Sequence, residues 1–217
     1  MFGLFKAKSE PIDKLTVAYM EERYGESFTA VGPIGNSMTG NYSMYVTCES
    51  IPGVNITAKA LNFKNEERIF QDNYLVYKYQ EEIRDYLKRF VLDEFSEANV
   101  YVSVSNLPLS ESIPADATAE QVMQDENFML SATVEVRESE FRAATQAENV
   151  MLNMGNALYG KELITYHVMF IAVREENFGK LTNAELSQAY MDDMYVKTAK
   201  IQKWATGSNT VWKEVEA

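Results

Sequence analysis

Few residues of this chain could carry nucleophilic or acid–base chemistry. There is one histidine, His167, and one cysteine, Cys48. A single histidine excludes a metal site built from several imidazoles. Its neighbours in the apolar run 162–173 favour a hydrogen-bonded residue at the edge of a core over a catalytic base. Cys48 alternates with Met44 and Val46, which reads as a small buried hydrophobe. A Cys48–His167 dyad would need two distant strands to meet, and no third group is indicated to orient it. One cysteine also rules out an intramolecular disulfide. No catalytic, cofactor-binding or metal-binding residue is assigned on these grounds.

Two further patterns resemble sites. Gly155-Asn156-Ala157-Leu158-Tyr159-Gly160-Lys161 matches the Gly-x4-Gly-Lys half of a phosphate-binding loop. Glu162 follows it, however, where a Ser or Thr would hold magnesium. The stretch also runs from helix to strand, the reverse of the order that brings phosphate to a helix N-terminus. Acidic pairs occur at Glu21-Glu22, Glu66-Glu67, Glu81-Glu82, Glu175-Glu176 and Asp192-Asp193. Adjacent helical residues point about 100° apart, so such pairs do not converge on one ion. No calcium-loop spacing and no nucleophile elbow is present.

The segment Asp72-Asn73-Tyr74-Leu75-Val76-Tyr77-Lys78-Tyr79 is the most distinctive in composition. Asp72 or Asn73 can cap a helix that runs to about Phe95, and Tyr74 and Tyr77, three apart, share a face. Tyr74 and Tyr77 are therefore the candidate binding residues, on a tyrosine-bearing contact surface.

The elements that would position these groups follow from periodicity. Ser9, Glu10 and Pro11 open a helix that stops at Tyr24-Gly25. A short strand is expected near Ser27 to Val31, and Gly32-Pro33-Ile34-Gly35-Asn36 reads as a turn. Residues 42–49 and 54–60 alternate about Pro52-Gly53, which predicts a hairpin over 42–61. In the long helix, Val76, Tyr79, Ile83, Tyr86, Leu87, Phe90 and Val91 form a wide apolar stripe, and Asp85 stands four residues before Arg89. Residues 99–105 alternate as a strand. Thr118 with Gln121 is a capping box, followed by alternation over 128–136, a helix over 139–154 and a strand over 162–173. That last strand is apolar on both faces, which places it inside a sheet. Thr182 with Glu185 is a second capping box, and Leu186, Tyr190, Met194 and Ile201 extend it into a helix ended by Gly207.

The fold class expected is α+β: a mixed, largely antiparallel sheet of about five to six strands, including the hairpin, packed by three to four helices, with a parallel β-α-β pair late in the chain. One domain is expected over 1–217. If it divides, the Pro- and Ser-bearing stretch 106–117 is the boundary.

The formal charge is −12, and residues 98–160 hold 9 acidic against 2 basic side chains. Such a field repels nucleic acid and anionic lipid. No run approaches the roughly 18 apolar residues of a membrane span, and the N-terminus lacks the pattern of a signal peptide. A cytoplasmic location is expected.

Tyr19-Met20-Glu21-Glu22-Arg23-Tyr24-Gly25-Glu26-Ser27-Phe28, followed by Asp72-Asn73-Tyr74-Leu75, resembles a pattern in uncharacterised proteins of clostridia-like Gram-positive bacteria. It covers roughly the first hundred residues and carries over no activity. Many look-alikes are exported lipoproteins, whereas this chain shows no lipobox cysteine. The function expected is a non-enzymatic bacterial binding or interaction domain acting on another protein or on itself. The alternatives are an enzyme for a small neutral or cationic substrate without metal or nucleotide cofactor, and a self-associating structural protein using hairpin edges.

Overall fold

The computed structural model describes residues 11–36, 40–61, 68–104, 107–158, 165–180, 196–206 and 209–215. The fold is α+β, with its strands divided between two sheets. Contacts gather the chain into two compact units, one of Met1–Tyr77 with Asn106–Ala117 and one of Lys78–Ser105 with Thr118–Ala217.

In the first unit, α1 (Ile12–Tyr24) starts behind Pro11 and stops at Gly25, whose left-handed φ of 69° lets its N–H reach the carbonyl of Glu21. Four antiparallel strands follow in sequential order: β1 (Phe28–Asn36), β2 (Tyr42–Cys48), β3 (Ile56–Leu61) and β4 (Ile69–Asp72). The hairpin pairs Val46 with Ile56 and Tyr42 with Ala60. Its alternation sets Met44, Val46, Cys48, Ile56, Ala58 and Ala60 inward, where they are buried with Met20 of α1. Strand β1 runs through the stretch expected as a turn. Gly32, at φ 79°, lies within a register shift between Val31 and Gly35, so the glycine bends the strand without ending it. Both hairpin strands are interior, flanked by β1 and β4, so the hairpin edges invoked for self-association are already paired.

Residues 107–117 are grouped with the first unit. Leu109, Ile113 and Ala117 are buried, and the Leu109 N–H donates to the carbonyl of Asp72. Three apolar side chains spaced four apart outweigh the prolines at 108 and 114.

The chain leaves the first unit through α2 (Tyr74–Lys78), and α3 (Gln80–Leu92) follows after a break at Tyr79. The second unit has a five-stranded sheet in the order β5 (Ala98–Val104), β6 (Met129–Arg137), β7 (Thr165–Val173), β8 (Val196–Thr206) and β9 (Asn209–Val215). Strands β6 and β7 are parallel, with α5 (Ala144–Leu158) between them in the chain, and the other pairs are antiparallel. The doubly apolar β7 is central, as its composition requires. The short α4 (Ala119–Met123) has the complete capping box of Thr118 and Gln121. Ile83, Leu87 and Val91 of α3 and Val150, Met151 and Met154 of α5 are fully buried, as are Val134, Val168 and Phe170 of the sheet. Truncating one of these larger side chains costs about 2–5 kcal/mol.

One expected element is replaced. Residues 196–206 form β8 rather than the end of a helix, and the Thr182–Glu185 box lies outside the described residues. Val196, Thr198, Ile201 and Thr206 are β-branched, and the open side of β7 supplies a partner strand, which together override the helical spacing.

Candidate functional site

The two candidate tyrosines have separate environments. Tyr74 is fully buried and Tyr77 half-buried. Tyr74 packs against Tyr24 at 4.5 Å and edge-on against Phe28 at 5.4 Å, and its hydroxyl donates to Glu26. It is thus a core ring and offers no exposed contact surface. Tyr77 has Tyr45 of β2, 48% exposed, as its electrostatic neighbour.

The sequence expectation placed a cap at Asp72 or Asn73, and both residues serve the backbone. Asp72 Oδ1 accepts the Tyr74 N–H at 2.9 Å, while Asn73 Oδ1 accepts the Thr57 N–H at 2.8 Å. Asp72 also receives the Tyr24 hydroxyl, 2.9 and 3.0 Å from its two oxygens. Burial raises the Asp72 pKa, against the Tyr74 amide, the Tyr24 hydroxyl and nearby Arg23, which lower it. Burial, then Asp72, pushes the Tyr24 phenol above its ordinary value. Arg23 lies over the rings of Tyr19 and Tyr24 at 5.7 and 5.4 Å and donates to the Tyr19 hydroxyl and the Ile113 carbonyl. The cluster binds α1, β4 and the returning segment 107–117 together. Sequence reasoning missed it because Tyr24 and Asp72 are 48 residues apart.

The second unit holds a similar knot. Glu135 of β6 is fully buried and accepts the Asn99 side-chain amide and the Tyr101 hydroxyl, both at 2.9 Å, and the Gly179 N–H at 3.0 Å. Burial and then Glu135 raise the Tyr101 pKa. Phe178 packs beside Met169, Ile171 and Val173 and beneath the Arg137 guanidinium, 4.1 Å away. Glu135 has the parity of Ser131 and Thr133, which in the sequence reads as a solvent face. Nothing local announces that residues 174–180 cover it.

Helix α3 is bordered by two grooves. One of about 330 Å3 runs between α3 and β5, lined by Gln80, Arg84, Lys88 and Val100 among others. There Gln80 donates to the Val102 carbonyl at 2.8 Å, which closes part of the strand edge. Asp85, expected to pair with Arg89, instead meets Arg84 at 3.0 Å, and Arg84 also binds Glu81. The second groove, about 560 Å3, lies between α3 and α4 and is lined by Glu82, Asp85, Tyr86, Arg89, Ala119, Glu120 and Met123, with Thr118 at its end. Met123 is buried, Tyr86 and Ala119 are half-buried, and the four charged residues are exposed. Tyr86 is steadied edge-on by Phe90 at 5.4 Å. An apolar floor beneath a mainly acidic rim can desolvate an apolar group while keeping a cation in contact with carboxylates and water.

Cys48 is buried with its sulfur 3.3 Å from the Ser50 hydroxyl. His167 stands in β7, in register with Ser131 of β6 and Trp204 of β8. Residues 155–158 of the Gly-Lys loop complete α5, and the rest of that loop lies outside the described residues. Among the described residues, no three His, Cys, Asp or Glu groups gather as a metal site, and no helix is long and apolar enough to cross a membrane.

No family model matches the chain, and no curated protein matches it. A solved structure of a DUF5037 family protein from Ruminococcus gnavus aligns with 92% of this chain and 93% of its own, at 13% identity and a TM-score of 0.41.

Proposed function

We propose that this protein is a non-enzymatic bacterial binding or interaction domain, and that α3 with α4 forms its receiving surface. The α3–α4 groove carries this reading. It is of the size that takes a few side chains of a ligand, and its apolar floor is made by Tyr86 and Met123. The polar clusters elsewhere support it by contrast. The Asp72 and Glu135 carboxyls are taken up by tyrosine hydroxyls and main-chain amides that hold the fold together.

The test is an NMR titration of the full chain with three short helical peptides that share a leucine face and differ in carrying lysine, serine or glutamate opposite it. At least one should shift the signals of Tyr86, Ala119 and Met123 in a saturable way. Silence of those signals with all three peptides would defeat the reading.

A second reading keeps part of the tyrosine surface. Tyr45 is exposed on β2 beside Tyr77, and a pair of half-wet rings suits an interface. Alanine at both positions should leave the melting transition in place and abolish capture of a partner in a pull-down. Unchanged capture rejects it.

A further inference from the structure

The α3–α4 groove also carries the chemistry of its occupant, and this step rests on the binding reading above. We infer that the groove receives a basic amphipathic segment of a partner protein, with apolar side chains on Tyr86 and Met123 and a lysine or arginine among Glu82, Asp85 and Glu120. The rim holds three carboxylates against one guanidinium, Arg89. Asp85 is the only one of the three carboxylates in an ion pair of the described residues, through Arg84. Among the described residues, Glu82 and Glu120 therefore have no ion-pair partner to displace. The chain as a whole bears −12, so its field draws a cationic segment in and repels an anionic one. The floor adds what charge alone lacks. The half-buried face of Tyr86 attracts a cation as well as an apolar side chain, and the unbranched, polarizable Met123 adapts to the shape of what is buried on it. The small Ala119 leaves a helix backbone room to approach between α3 and α4, the geometry of helix-in-groove recognition.

The experiment measures affinities of the full chain for the leucine–lysine, leucine–serine and leucine–glutamate peptides by calorimetry at two salt concentrations. The lysine peptide should bind at least tenfold more tightly than the serine peptide, with no binding of the glutamate peptide. E82Q/E120Q should remove that advantage while E22Q/E49Q, which alters two exposed acids of the first unit, should not. Y86L should weaken both the lysine and the serine peptides. Equal affinities for lysine and serine peptides, both lost in Y86L, would leave the groove a binding site and overturn the basic partner. Equal loss in E22Q/E49Q and E82Q/E120Q would show only a general attraction of opposite charges and would also overturn it.

Discussion

Asp72 and Glu135 are both buried carboxyls that accept a tyrosine hydroxyl and a main-chain amide, yet their surroundings differ. Asp72 sits at the end of β4, where the chain turns into α2, and has the Arg23 guanidinium near enough to oppose the effect of burial. Glu135 sits inside β6, and the groups that bind it are an amide side chain, a phenol and the N–H of Gly179. The first carboxyl helps fix where a helix begins and ties it to Tyr24 at the end of α1, while the main-chain carbonyl of the same residue accepts the Leu109 N–H of segment 107–117. The second fastens residues 174–180 over a sheet face. The same donor types thus serve a junction in one unit and a cover in the other. In both, the carboxyl organises backbone that has no ladder of its own.

The comparison breaks most visibly at Glu135. Glu135→Ala would leave three donors without their acceptor, and since each unmet buried group costs about 1–3 kcal/mol, the loss in a urea unfolding curve should be about 3 kcal/mol or more. A loss below about 1 kcal/mol would show that water replaces the carboxyl and that residues 174–180 are not held by it. Next come the two phenols. Tyr101→Phe and Tyr24→Phe each remove one hydroxyl from a carboxyl and should cost about 1–2 kcal/mol. Tyr24→Phe should also speed exchange of the Leu109 amide, whereas Tyr101→Phe should speed that of Gly179.

A smaller effect is the response of Asp72 to pH. Because the Asp72 pKa is raised in the folded chain, the folded state holds this proton more tightly than the unfolded state. Its contribution is complete below the unfolded value near 3.9 and is lost as pH rises through the folded value. Asp72→Asn retains an acceptor for the Tyr24 hydroxyl and the Tyr74 amide but cannot ionise. Relative to the parent, the variant should become progressively more stable as pH rises from about 4. A constant difference across that range would remove Asp72 from the pH response. The smallest effect belongs to Arg137, which reaches Glu97 and Glu175 at 2.8 and 2.7 Å on the surface above Phe178. Arg137→Gln should lower the melting temperature slightly in dilute buffer, and the electrostatic part of that difference should fade in about 1 M salt.

Periodicity reveals what short-range chemistry specifies. The hairpin follows from alternation about Pro52-Gly53, the α4 start from Thr118 and Gln121, and the central place of β7 from its two apolar faces. The α3 stripe of Ile83, Leu87 and Val91 is equally direct. Where pairing over a long distance decides, the local pattern misleads. Lys197, Lys200 and Lys203 mimic the cationic end of a helix, but the strand partner β7 settles the conformation. Tyr74 and Tyr77 have helical spacing, yet α2 is only five residues long and Tyr74 turns onto Phe28 and Tyr24. On α3 the α3–α4 groove leaves its trace only as the i,i+4 pairs Glu82–Tyr86 and Asp85–Arg89, because the side chains that complete it arrive from about thirty residues on.

The way the chain doubles back through 107–117 has a consequence for synthesis. A nascent chain that has emerged only to Tyr77 lacks Ile113, whose carbonyl Arg23 holds, and Leu109, whose amide Asp72 holds. The first unit therefore cannot close until α3 and β5 have already left the ribosome, and its completion must wait for a stretch encoded after part of its neighbour. Fragments cut at residue 77 or 105 should accordingly express poorly, and a cut after Ala117 is the earliest that leaves the first unit every residue it uses.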